Sequence, residues 1–443
     1  APYPPPPMAV AAAPIPAIAP QPLPGGRPRF WTAVITHGVT DFFSYLLIPL
    51  MPLLISNLKM TTRQSAIILA VGSLSSGLIQ PLVAWLSDRL ETRILGSLGL
   101  AAAAIAYGLM GHIHSFEQLL LVQIIGAGGV GAFPPVAAAA VGQLSSARRS
   151  FGVAIFFLGG MLGGITGNVS SPYYARYLGL PAMVWLIIPG VAAAVWLQWA
   201  IHAVPHRHHT AHHDHAALPA SERRWRWTGV GLLYAGNVLR FGVNAALVHL
   251  MIEWTRSYVA AGEHLDLATA GPAALDGLGM KATALNGPMQ AAMQIGMGAA
   301  GLSAGWLVRP AREKRALIMI PCWGAFAIAA IALADWFVVG IPSRHWLAIP
   351  LVFFCTVMAG IGFGGVLPVT ISLSQRLLPH RTSLASSLMM GGAWAVGSGG
   401  PPLAEWLTHK IGLDGAFVVM GSLLLVAGLI SVAIPGWLIR KAS

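Results

Sequence analysis

Two ionisable residues stand four apart in a stretch that is otherwise apolar: His37 and Asp41, in His37-Gly-Val-Thr-Asp41-Phe-Phe-Ser-Tyr-Leu-Leu-Ile-Pro49-Leu-Met-Pro52. On a helix that spacing puts both side chains on one face. An imidazole and a carboxylate so placed can share, take up or release a proton. The run around them is apolar enough to cross a bilayer, and an ionisable group at that depth faces a water-filled cavity or a partner. The chemistry this predicts is proton uptake and release by Asp41, tuned by His37. The alternative is a static buried pair that only fixes helix packing.

Other polar residues are scattered through apolar runs. Asn237, Arg240 and Asn244 recur at helical spacing on one face, where a guanidinium attracts an anionic group or holds a carboxylate. Gln80 and Gln123 either line a cavity or bond a neighbouring helix. Asp335, Glu253 and Glu405 fall near the ends of apolar runs and read as solvated or interfacial. The run His206-Arg-His208-His209-Thr-Ala-His212-His213-Asp214-His215 is dense enough in imidazole to bind a transition metal. Its spacing defines no coordination geometry, a solvated linker is the simpler reading, and no metal or other cofactor is expected. Cys322 and Cys355, far apart in apolar stretches, read as core residues.

The elements that must position these groups are membrane helices. Of 443 residues 56% are hydrophobic and 9% charged, and the mean hydropathy is +0.70. That balance excludes an ordinary soluble domain. The net charge of +12 sits in short clusters between apolar runs, where topology accounts for it and no nucleic-acid partner is needed. Residues 1–29 form a Pro-rich tail without the pattern of a secretory signal, so the first span is expected to be retained. Spans are expected near 30–56, 63–87, 93–112, 116–143, 150–174 and 180–204. A polar linker over 205–225 follows, then spans near 226–255, 281–308, 315–338, 346–374, 382–407 and 412–438, and a short tail over 439–443. On this plan eighteen lysines and arginines share a side with both termini and seven lie opposite, which places the termini and the His-rich linker in the cytoplasm.

An internal repeat groups the twelve spans. Gly129-x-Gly131-x-x-x-Pro135 recurs as Gly362-x-Gly364-x-x-x-Pro368, at an offset of 233. Gln143, Arg149, Gly159, Gly160 and Gly167 recur as Gln375, Arg381, Gly391, Gly392 and Gly399, at an offset of 232. A glutamine, an arginine and prolines in one register are not explained by abundant glycine. Spans four and five are thus repeated as ten and eleven, giving two six-helix halves, 30–204 and 226–438, around a central cavity.

Motifs agree with that plan. Ala84-Trp-Leu86-Ser87-Asp88-Arg89-Leu-Glu-Thr-Arg93 resembles the Gly-x-Leu-Ala-Asp-Arg-x-Gly-Arg-Lys loop of the major facilitator superfamily. The resemblance makes Asp88, Arg89 and Arg93, with Arg149 and Arg381 on the repeated spans, gating residues. The equivalent second-half loop carries Arg309 where the acid should stand, so a symmetric latch is not expected. Gly159, Gly163 and Gly167 recur every fourth residue, a spacing that lets helix backbones approach closely, with a part in gating as the sharper alternative.

Over most of both halves the chain resembles the fosmidomycin-resistance family of major facilitator exporters. The residues that carry this are His37-x-x-x-Asp41 with Pro49-x-x-Pro52-Leu53, Gln80-Pro81, Gly126-x-Gly128 leading to Phe133-x-Pro135, Gly159-Gly160, Gln375-x-Leu-Leu-Pro379-x-Arg381 and the glycines 391, 397 and 400. Pro134 stands where relatives commonly have histidine. The resemblance implies an all-α polytopic fold of twelve helices, a monomer in the bacterial inner membrane, and proton-driven export of small, often anionic or amphiphilic compounds such as drugs. Helical rise places Asp41 about 15 Å and Arg240 about 20 Å from the cytoplasmic edge, so the two are expected to approach each other across the cavity. An uptake symporter for an organic anion shares this logic. A polytopic membrane enzyme lacks its nucleophile and metal signatures here.

Overall fold

The computed structural model describes residues 26–87, 93–145, 149–202, 204, 219–267, 269–338 and 347–442. The first half is built from α1 (Gly26–Ser44), α2 (Leu47–Asn57), α3 (Thr62–Ser87), α4 (Arg93–Gly108), α5 (Phe116–Leu144), α6 (Arg149–Leu178) and α7 (Ile187–His202). The second half has α8 (Ala220–Gly262), α9 (Pro272–Leu307), α10 (Glu313–Val338), α11 (Ala348–Gly364) and α12 (Leu367–Leu377). It ends with α13 (Thr382–Ser387), α14 (Ala393–Gly397), α15 (Gly400–Ile430) and α16 (Gly436–Ala442). The described backbone is helical throughout, apart from turns and short connections, because an apolar chain in lipid must satisfy its peptide groups within each segment.

Ten segments among the described residues are long and apolar enough to cross a membrane. One of them, Leu384–Ala433, contains two passes, because Gly412 leaves helical geometry at φ 78° and turns the chain back. The remaining pass is α9, whose Asp276, Lys281, Asn286, Gln290 and Gln294 dilute its apolar character. The total is the expected twelve. The first pass is α1 and α2 in series, broken at Tyr45 and Leu46. The tenth is α11 and α12, where Pro368 opens the second piece. The sequence predicts no such breaks: Pro135, the counterpart of Pro368 in the repeat, lies inside the continuous α5.

The repeated glycines do the same work in each half. Gly129 meets the backbone of Gly99 on α4, and Gly131 meets that of Ser76 on α3, where an added Cβ would stand 2.5 Å from the carbonyl oxygen. In the second half Gly362 meets Gly324 on α10, 2.6 Å from its Cα, and Gly364 meets Met297 on α9. Lipid offers no hydrophobic drive for helix association, so such backbone approach is what holds the halves together internally.

Between the halves, α9 packs on α2 and α6, and α3 packs on α14 and α15. Polar bonds close the α2–α9 end. The Leu53 amide donates to Thr283 Oγ1 at 3.1 Å and Ser56 Oγ donates to the Leu275 carbonyl at 3.0 Å. Asn286 Nδ2 donates to the Ile48 carbonyl at 3.0 Å, an acceptor left without its helical donor because the residue four ahead is Pro52.

Candidate functional site

His37 and Asp41 lie one turn apart on α1, with Nε2 and Oδ2 3.7 Å apart. His37 Nδ1 is 2.8 Å from the Phe156 carbonyl. A carbonyl only accepts, so Nδ1 carries the proton and the Nε2 of a neutral ring turns its lone pair toward Asp41. The ring is held by stacking on Phe156 at 4.0 Å between centroids, with Phe133 at 5.3 Å. The His37 side chain is 5% exposed and that of Asp41 23%. The carboxylate therefore reaches open space while the imidazole behind it does not.

α6 makes room for this pair because residue 160 has no side chain. A Cβ there would stand 2.6 Å from Asp41 Oδ2 and 2.7 Å from His37 Nε2. The stripe Gly159, Gly163 and Gly167 packs along the backbone of α1 at Val34, Gly38 and Phe42, with 2.6 Å left at Gly159 and 2.5 Å at Gly167.

One turn beyond Asp41, Tyr45 lies over Gly164, where an added Cβ would come within 2.8 Å of its ring. The Gln294 amide of α9 meets the same glycine. Gln294 in turn accepts from Asn168 Nδ2 of α6 at 2.8 Å, a buried bond between the two halves. A polar ladder of His37, Asp41 and Tyr45 thus ends on a bond that ties α6 to α9. Sequence reasoning missed Tyr45, Asn168 and Gln294. The one signal available was that each is polar in an apolar run, and nothing local says that residues 168 and 294 meet.

The other predicted residues divide into separate places. Arg240 is 3% exposed, its Nε is buried without a hydrogen-bond partner, and among the described residues no ion pair joins it to Asp41. It lines a small cavity of about 10 Å³ with Asn237, Leu233, Pro321, Thr370 and Ser431. All of these belong to the second half, and the space suits one water. The expected approach of Arg240 to Asp41 is thus not present: the side chain turns into its own half. Asn237 Nδ2 donates to the Met389 carbonyl at 2.9 Å and to Thr370 Oγ1 at 3.3 Å. Asn244 instead faces the sulfurs of Met293 and Met297, 3.6 Å from each.

Gln123 accepts from Tyr107 Oη at 3.1 Å and so bonds a neighbouring helix. Gln80 lies at the α3 contact with the segment before α14, where a Cβ on Gly391 would be 2.8 Å from its own Cβ. Arg93 Nη1 donates to the His202 carbonyl. Arg149 opens α6, and Arg381 is exposed at the start of α13. Asp88, Arg89 and the histidines 206, 208, 209, 212, 213 and 215 lie outside the described residues, as does the side chain of Asp335. The second half does hold an acid near its loop, four residues past Arg309. Both oxygens of Glu313 are 2.6 Å from Arg376 Nη2, which joins α10 to α12.

Twelve passes among the described residues, in two glycine-packed halves that meet at a seam of hydrogen bonds beside a partly exposed carboxylate, have the build of a membrane transporter. The chain belongs to the major facilitator superfamily, whose family model matches residues 33–348. It is accordingly a transporter and not an enzyme. It is 24% identical over 163 residues to the fosmidomycin resistance protein of Escherichia coli (strain K12), covering 37% of this chain and 40% of that one. It is 27% identical over 155 residues to the quinolone resistance protein NorA of Staphylococcus aureus, covering 32% and 40%. The match thus spans less than half the length of these curated relatives. Solved structures share the fold along nearly the whole chain. A structure of a proton dependent oligopeptide transporter gives a TM-score of 0.66 at 14% identity, covering 94% of this chain and 100% of that one. The nucleoside transporter NupG gives 0.64 at 11% identity, covering 92% and 98%.

Proposed function

We propose that this protein couples inward proton movement to export of a small anionic or amphiphilic compound by alternating access, as a monomer in a bacterial inner membrane with both termini in the cytoplasm. The observation that carries the reading is the partial exposure of Asp41 in front of a fully backed His37. When Asp41 is protonated its carboxyl can donate to the Nε2 lone pair of His37, and when it is ionised two lone pairs face each other and that attraction is lost. Either state changes what α1 presents to α6 and, through Tyr45, to the Gln294–Asn168 bond between halves. A proton binding one conformation better than the other shifts the inward/outward equilibrium by that difference. The names of the two resistance proteins support export of drug-like compounds. Arg240, buried in the second half with its Nε unbonded, supports an anionic cargo through its positive potential rather than by contact, and that pull on α8 acts on the same equilibrium from the second half.

Flux in oriented vesicles under an imposed pH gradient tests this, against a panel of phosphonates, carboxylates and cationic drugs. Outward cargo movement driven by inward protons is the expected result, and co-directional movement selects uptake symport instead. In Asp41→Asn the gradient-driven flux is expected to fall at least about tenfold and to lose its pH dependence, while exchange without a gradient persists. Wild-type rate and pH profile in this variant overturn the coupling role of Asp41.

A further inference from the structure

The two copies of the repeat differ in how one stretch is wound. Residues 149–167 and 381–399 are equal in number and keep their glycine pair in register, Gly159-Gly160 against Gly391-Gly392. The first copy is regular helix within α6, whereas the second contains a π-turn, Leu388–Gly392, between α13 and α14. Before the turn the Leu388 amide donates to the Leu384 carbonyl, four residues back. After it the Ala393 amide reaches five back, to the Leu388 carbonyl, and so passes over that of Met389. A buried carbonyl that loses its helical donor needs another.

α8 supplies it. Asn237 Nδ2 donates to the Met389 carbonyl at 2.9 Å, and one turn away Tyr234 Oη donates to the Gly392 carbonyl at 3.2 Å. The opposite side of the π-turn faces the other half. A Cβ on Gly391 would stand 2.9 Å from the Gly77 carbonyl of α3, and one on Gly77 would stand 2.8 Å from the Gly391 carbonyl. The turn is thus clamped between two helices of different halves. A π-turn holds one residue more than the α-helical turn it replaces. Rewinding it as α-helix, with α14 held still, rotates α13 by about 100°, one residue's share of a 3.6-residue turn. That takes away the face α13 now packs on α3. The first copy of the repeat shows the all-α winding in a stretch of the same length.

We propose that Leu388–Gly392 is a register switch on the second-half side of the seam, and that Asn237 and Tyr234 are the positioning residues that hold it in the π form while α3 and α14 touch. Loss of their bonds lets the stretch rewind and frees α13 from α3. Only the use of the switch in transport rests on the alternating access proposed above.

Nitroxide labels at Leu82 of α3 and Leu384 of α13, both exposed, test it by double electron–electron resonance in lipid nanodiscs, in a background lacking Cys322 and Cys355. One short distance is expected to dominate. Asn237→Leu and Tyr234→Phe are each expected to raise the ratio of a longer distance to the short one about fivefold, the worth of one hydrogen bond of ordinary net strength. Unchanged distributions overturn the proposal. Deletion of Met390 removes the extra residue and leaves both flanks in their present register. This variant is therefore expected to fold, to show the short distance alone and to lose flux. Combined with Asn237→Leu it is expected to keep the short distance, a rescue that a merely structural Asn237 would not show. Loss of the fold on deletion, a longer distance in the combined variant, or wild-type flux through the deletion variant overturns the switch. Failure of the proton-coupled export reading shows in the direction of wild-type flux and leaves these distances as they are.

Discussion

Arg240 shows that a residue's position along a helix does not say which way its side chain faces. Helical rise gives its depth, but its direction is set by rotation about the α8 axis and by Asn237, which bonds Met389 and Thr370 and brings the guanidinium with it into the second half. What remains is a permanently charged group, 3% exposed, with no carboxylate paired to it among the described residues. Such a charge is held at a cost, so Arg240→Gln is expected to raise thermal stability, by about 1–3 kcal/mol for a buried polar group relieved of its charge. The same change is expected to abolish competition by anionic compounds in a binding assay. A variant that gains stability and keeps anion competition separates Arg240 from the cargo. His37 is the contrasting residue: its Nδ1 is fixed by the Phe156 carbonyl and its ring by stacking, and the spacing in sequence sufficed to place it beside Asp41.

Among the elements, α6 is the one on which the candidate site depends. Gly159, Gly163 and Gly167 bring it against the backbone of α1, and Gly160 and Gly164, on the adjoining face, leave space for Asp41 and Tyr45. A Cβ at residue 163 would collide with the Gly38 carbonyl, whereas one at Gly231 of α8 meets nothing within 4 Å. Gly163→Ala is therefore expected to lower stability by about 1–3 kcal/mol, the usual cost of overpacking. Gly231→Ala should be neutral or gain about 0.5–1 kcal/mol from helix propensity. Thermal unfolding of both in one detergent measures the contrast, and equal midpoints contradict the packing role. At the seam, Asn168→Ala and Gln294→Ala are expected to show a coupling energy near 0.6 kcal/mol in a double-mutant cycle, the average for such bonds between membrane helices. Additive effects mean the 2.8 Å bond does not link the halves in the protein's populated state.

At the scale of the molecule, much of the architecture was legible and the meeting of its halves was not. Apolar length finds the passes, and the offset of 233 finds the repeat because the glycines 129 and 362 solve one packing problem twice. The breaks at Tyr45 and Gly365 and the bonds between residues hundreds of positions apart leave no period in the chain, since they depend on how two rigid bundles face each other. The α2–α9 contact is where that matters for function: the bonds from Leu53, Ser56 and Asn286 hold one end of the seam shut. The alternating access proposed above requires this end to part. A Cβ on Gly279 would stand 2.8 Å from Ser56 Oγ, close enough for two cysteines at these positions to bridge. Ser56→Cys with Gly279→Cys, in a background lacking Cys322 and Cys355, is expected to form a disulfide on oxidation and to stop flux, with recovery on reduction. The cross-link adds no charge and leaves Asp41 alone, so proton binding by the isolated protein should persist in the locked state. Full flux through the cross-linked form means that α2 and α9 move together, and the opening must then be sought where α3 meets α14 and α15.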